Sequence, residues 1–225
     1  MNLLEKAGRK FLSASMTDPV SSFPSHTRAW TGRVPHLPPM TSIKIAGIGG
    51  SLRKDSFNTK LIHQAKELMP HNSVLEIVSV GNLPLYNQDD DENPTKEVIA
   101  FKDSLRSSHG VLIVSPEYNY SLPGFLKNAV DIASRPPADN VLRGKPVAIM
   151  SASSGAFGGM RAQYHWRQVF HFLDMKQIGR PEVFVNHAQE KFDQSGRLKD
   201  ESTITLIRDL LNHLVNAAIE YSHIQ

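Results

Sequence analysis

With 225 residues, 14 Gly, 14 Pro and no Cys, the chain has an ordinary globular composition and is long enough to bury a sizeable core. The missing Cys excludes disulfides, thiolate zinc sites, iron–sulfur clusters and a cysteine nucleophile. The net charge of +3 is uneven: residues 1–39 hold five Lys/Arg against Glu5 and Asp18, which leaves 20 basic and 20 acidic side chains beyond them.

The basic balance therefore belongs to the N-terminal stretch and puts no Lys/Arg stripe on the rest, so nucleic acid is not an expected partner. Residues 1–40 also carry five Pro and five Ser and show no strand or long helix pattern. They read as a flexible or targeting N-terminal extension, ahead of a single domain over 41–225. The expected location is cytoplasmic, or an organelle if the extension is a transit peptide. No apolar run approaches the ~18 residues that a membrane span needs.

From residue 43 the pattern becomes regular. Ile43–Ile48 reads as a strand, Asn58–Met69 as a helix with Leu61, Ile62, Ala65 and Leu68 on one face, and Leu75–Val80 as a second strand. Helical spacing follows over Pro94–Ser108. Val111–Val114 has the unbroken apolar character of a strand buried on both faces. A helix over Gly124–Ser134 stops at Pro136-Pro137. Val147–Met150, Met160–Leu173, Glu182–Val185 and Glu201–Tyr221 then give strand, helix, strand and helix. Strands alternating with helices predict an α/β three-layer sandwich. Its five-stranded parallel sheet suits the flavodoxin-like order 2-1-3-4-5.

In such sheets ligands bind beyond the carboxyl ends of the strands, which selects the loops after strands 1, 3 and 4. The first, Gly49 to Thr59, offers backbone approach at Gly49-Gly50 and hydroxyls at Ser51, Ser56 and Thr59. It adds an amide at Asn58, a phosphate-matched fork at Arg53 and a helix N-terminus. This is the chemistry of a phosphate-monoester site; a plain capped helix start would need only Ser56 or Asn58. Gly-Lys-Ser/Thr is absent, and so is the third Gly of a dinucleotide fingerprint, so a mononucleotide remains. The second loop, Ser115 to Gly124, sets Tyr118 and Tyr120 beside two Pro. Its rings suit a flat ligand and Asn119 a ring edge, unless the tyrosines pack only for burial. The third, Ser151 to Gly159, is a flexible polar rim or a plain linker.

The stretches GSLRKDSFNT, SPEYNYSLPGFLKNAVDIASRPP and GAFGGMRAQYHWRQ, in that order over about residues 42–220, resemble the NAD(P)H-dependent FMN reductase family. The likeness is strongest to its quinone reductase and chromate reductase members. The resemblance implies a flavodoxin-like fold with non-covalent FMN. The phosphate would sit in the turn Ser51, Leu52, Arg53, Lys54, Asp55, Ser56, Phe57, Asn58 and Thr59. The ring would lie by Pro116, Glu117, Tyr118 and Asn119, with Ser153 from the third loop. It further implies NADPH or NADH as co-substrate and a quinone as acceptor, with chromate, ferric or azo compounds as others. A homodimer or homotetramer is implied too, with Arg161 and Tyr164 either at its interface or on a solvated face. The flavin would carry the chemistry, so no side chain is expected as nucleophile or acid. The alternative is a non-enzymatic flavodoxin-type electron carrier or redox-controlled binding module; the neutral body favours the enzyme. No metal is expected, since His165 and His171 lie off a single helical face and Asp89–Glu92 lacks a calcium-loop pattern.

Overall fold

A computed structural model describes residues 42–223, so the extension expected over 1–40 lies outside the described residues. The first apolar run forms β1 (Ile43–Gly49). Ser56, in an extended conformation, accepts a hydrogen bond from the Asn58 N–H and starts α1 (Phe57–Glu67). Next come β2 (Ser73–Val78), α2 (Lys96–Arg106), β3 (Gly110–Val114), α3 (Gly124–Ser134), β4 (Pro146–Ala152) and α4 (Met160–Phe172). Two short strands, β5 (Lys176–Gln177) and β6 (Val183–Val185), a one-turn helix α5 (Ala188–Lys191) and the long α6 (Glu201–Ser222) complete the chain. Asp200 caps α6 by accepting from the Thr203 N–H at 2.9 Å.

The sheet order is β2-β1-β3-β4-β5, with β6 also on β4, and every pairing is parallel. β3 and β4 are buried along their whole length, as their unbroken apolar runs require. Successive side chains go to opposite faces. Leu112, Val114, Ala148 and Met150 pack in one core with Leu61 and Ile62 of α1 and Ile207, Leu211 and Leu214 of α6. Val111, Ile113, Val147 and Ile149 pack in the other with Phe101 of α2, Leu126 of α3 and Trp166 and Phe170 of α4. The molecule is the expected three-layer sandwich in the flavodoxin-like order. Among the described residues no helix is long and apolar enough to cross a membrane.

The fifth sheet position differs from the sequence reading. A single strand at Glu182–Val185 was expected; two segments share that position. β5 pairs Pro146 with Lys176, an offset of 30, whereas β6 pairs Met150 with Val183, an offset of 33. Three extra residues are therefore expelled between them. Pro181 lies in that excursion and has no N–H to give to a ladder, which is the local reason the edge breaks.

Candidate functional site

The loops after β1, β3 and β4 meet at one end of the sheet around a cleft of about 280 Å³. Ser51, Arg53, Ser56, Phe57, Asn58, Pro116, Glu117, Tyr118, Ala152, Ser153 and Ser154 line it. Nine residues singled out in the sequence thus come together. Five others, Leu52, Lys54, Asp55, Thr59 and Asn119, belong to the same turns without lining the cleft. Ala152 and Ser154 are additions that the composition of a Ser/Gly loop does not single out.

The first loop is shaped by close approach. At Gly49 (φ +153°) a Cβ would stand 2.3 Å from the Val114 carbonyl oxygen, and the Gly50 N–H donates to that same oxygen at 3.0 Å. Only glycine lets β1 leave the sheet so near β3. At Gly50 (φ +79°) a Cβ would stand 2.9 Å from Thr59 Oγ1, so Thr59 serves as the wall of the turn. Ser51 Oγ accepts from the Arg53 N–H at 3.2 Å and lies 3.2 Å from the Tyr118 hydroxyl, joining the first loop to the second.

Charge in this turn is distributed to one effect. Asp55 pairs with Lys60 at 2.6 Å, and that hydrogen bond and charge hold its carboxyl below the usual range. The Arg53 side chain makes no hydrogen bond or ion pair with the described residues. In the first turn of α1 the Asn58 N–H goes to Ser56 Oγ and the Lys60 N–H to Ser56 O. The Phe57 and Thr59 N–H groups find no acceptor among the described residues. The free Phe57 N–H, a guanidinium with no hydrogen bond or ion pair among the described residues and serine hydroxyls around a cleft fit a phosphate dianion.

Asn58 is placed differently from a ligand donor. It is 4% exposed, donates through Nδ2 to the Ala152 carbonyl at 2.8 Å, and accepts the Ala152 N–H through Oδ1 at 2.9 Å. Its side chain pins α1 to the end of β4. Phe57 likewise turns its ring onto Phe192, centroids 5.7 Å apart, and offers the cleft its backbone.

The second loop is a tight reversal. Tyr118 and Ser121 exchange N–H···O bonds of 3.0 and 2.9 Å, with Asn119 (φ +48°) and Tyr120 (φ +67°) between them. Positive φ at both central residues makes this a type I′ turn. Glu117 reaches away to α4, where Oε2 accepts the Arg161 and Ala162 N–H groups at 3.0 and 3.2 Å and caps a helix whose own N-cap, Gly159, has no side chain. Behind the loop the buried Trp166 donates to Ser115 Oγ at 2.8 Å. Gly159 (φ +87°) lies so close that a Cβ would stand 2.7 Å from Ser151 Oγ.

The third loop is anchored as well. Ser153 Oγ accepts from the Gly155 N–H at 3.1 Å, and the Ser153 N–H donates to Val185 of β6 at 2.9 Å. It is an ordered rim and not a loose linker. Among the described residues no three His, Asp or Glu side chains gather as a metal site.

Comparison with known proteins bears on this arrangement. The profile of the family described as NADPH-dependent FMN reductase matches residues 43–190. The chain is 43% identical over 173 residues to an NAD(P)H-dependent FMN reductase of Pseudomonas aeruginosa, covering 76% of this chain and 93% of that one. It is 45% identical over 159 residues to a quinone reductase of Pseudomonas putida, covering 70% and 86%. Among solved structures it resembles the flavoenzyme NAD(P)H:(acceptor) oxidoreductase of Paracoccus denitrificans, with a TM-score of 0.74, 31% identity, and 80% and 98% of the two chains covered.

Proposed function

The chain belongs to the NADPH-dependent FMN reductase family, and on that premise we propose that it is an FMN-dependent NAD(P)H:quinone oxidoreductase. The observation that carries the reading is the first loop. Arg53, serine hydroxyls and Phe57, whose N–H has no acceptor among the described residues, line one cleft at the start of α1, where a phosphate monoester would meet them.

Ser51, Arg53, Ser56 and the first-turn amides of α1 would hold the phosphate, and Pro116, Glu117, Tyr118 and Ser153 would flank the ring. FMN, when bound, would supply the two-electron redox chemistry that links NAD(P)H to a quinone. The chain's part is placement. The Glu117 N–H, the one backbone donor of the Pro116–Tyr118 segment that the turn does not use, would orient the ring and favour negative charge on its reduced form. The rim loops would leave one ring face open to nicotinamide and acceptor in turn. No side-chain acid or nucleophile is required.

The assembly we propose is a homo-oligomer. Leu52, Tyr118, Tyr120, Phe157 and Tyr164, all on or next to the three loops and α4, leave large apolar surface exposed. The neutral charge balance after residue 39 favours a reductase over an acidic electron carrier.

The test is anaerobic. FMN-loaded protein mixed with NADPH should bleach, and added benzoquinone should restore the yellow colour. Protein that takes up FMN but stays oxidised with both NADPH and NADH would make it a carrier.

A further inference from the structure

Arg161 lies in the first turn of α4 beside the cleft, and its guanidinium is held on both faces and at Nη1. The guanidinium lies over the Tyr120 ring at 3.9 Å from the centroid and over the Phe157 ring at 4.2 Å. Its Nη1 donates to Glu117 Oε1 at 3.1 Å, while its own N–H donates to Glu117 Oε2 at 3.0 Å. Tyr120 and Glu117 belong to the loop after β3, whose Pro116, Glu117 and Tyr118 line the cleft. Phe157 belongs to the loop after β4, whose Ser153 and Ser154 line it too. One side chain thus joins the two loops.

The loop after β3 needs such a fastening. Tyr120 sits at φ +67°, a region costly for any residue with a Cβ and suited to glycine or asparagine. Such a conformation persists only where its surroundings over-determine it. Here they do: the paired Tyr118–Ser121 backbone bonds, the Arg161 stack, and Ser121 Oγ at 2.8 Å from His165 Nδ1 on the same helix. The exposed rings, Tyr120 at 67% and Phe157 at 52%, gain little from burial, so a core-packing purpose does not account for them.

We propose that Arg161 is a positioning residue for the reductase reaction. Held between Tyr120 and Phe157 and tied to Glu117, it fixes the spacing of the two loops across the cleft. It thereby sets the width that nicotinamide and acceptor must enter over the flavin. The proposal rests on the reductase reading above.

The experiment uses FMN-loaded full-length protein and a benzoquinone acceptor, with Arg161→Ala, Arg161→Lys, Phe157→Leu and Phe157→Tyr. Wild-type protein that takes no FMN, or is not reduced by NADPH, overturns the functional reading itself before any variant is made. With that established, both Arg161 variants should keep wild-type FMN content and kcat while KM for the quinone rises about tenfold, the scale of two lost stacking contacts and a charged hydrogen bond. Lysine should not rescue, because it keeps the charge but lacks the two flat faces. Phe157→Leu should raise KM in the same direction and Phe157→Tyr should restore it; this pair decides the matter if Arg161→Ala fails to fold. A wild-type KM in Arg161→Lys, or loss of FMN without any rise in KM of the remaining holoenzyme, would overturn the proposal.

Discussion

Replacing Asn58 by Ala tests the architecture of the cleft most directly. The side chain is 4% exposed and makes two reciprocal bonds, 2.8 and 2.9 Å, with the backbone of Ala152, the last residue of β4. Truncation removes both, worth about 1 kcal/mol each, and leaves a buried N–H and C=O unmet at about 1–3 kcal/mol apiece. Ala152 borders the open cleft, so water can reach part of the gap, and the net loss should fall near 2–4 kcal/mol. For a domain of this size that lowers Tm by about 5–15 °C. Thermal unfolding of FMN-free protein, followed by circular dichroism, reads it. Asn58→Asp should be no better, since it sets a second carboxylate oxygen against the Ala152 carbonyl. FMN affinity should fall in both variants as a secondary effect, because the N-terminus of α1 loses its anchor. An Asn58→Ala protein that melts like wild type yet no longer holds FMN would make Asn58 a direct ligand and refute the reasoning.

Arg53→Ala should weaken FMN binding by about 1.5–3 kcal/mol, a 10- to 150-fold rise in Kd by fluorescence titration. The melting temperature of the FMN-free protein should not move, since Arg53 supports nothing in the fold. Lys145 is 4% exposed, with its Nζ donating to the carbonyls of Arg106 and Ser108 and lying 5.3 Å over the Tyr221 ring. Burial, helped by the charge of Arg106, pushes its pKa from 10.5 down to about 8. Above pH 8 the folded protein has released this proton while the unfolded chain keeps it, so stability should rise with pH between 8 and 10.5. Denaturant unfolding at pH 7.5 and 9.5 should show a gain of about 1–2 kcal/mol that Lys145→Met abolishes; an identical pH response in the variant would refute it.

Much of this architecture is legible in the residues because local and global signals agree. The buried runs of β3 and β4 have no other home than the middle of a parallel sheet. Gly49-Gly50, Ser56 and Arg53 mark a strand-to-helix turn with an anion in view. What escapes are features fixed by tertiary geometry. Asn58 reads as a polar residue beside a phosphate loop, and nothing in the chain tells that β4, almost a hundred residues on, takes both its hydrogen bonds. The Asn119-Tyr120 reversal is hidden because a tyrosine in the left-handed region defies local preference; only Asn119, a residue tolerant of positive φ, hints at it. Arg161 reads as an interface residue or a solvated helix charge until the fold brings Tyr120 and Phe157 to its guanidinium. The split fifth strand has a visible cause in Pro181, yet a two-residue Lys176–Gln177 strand is too short for any periodicity to announce.

That split has a consequence for how the molecule lives among its own copies. An unbroken parallel edge is a template on which another chain can add a strand, the first step toward aggregation. Here the far edge offers runs of only two and three residues, shifted by the three-residue excursion and closed by a proline. The opposite edge, β2, carries Glu76 at its centre, paired with Lys44 at 2.5 Å, so an incoming strand would have to displace or bury a charge. Both margins of the sheet thus resist templated growth, and copies of this chain are left to meet through their helices and loops.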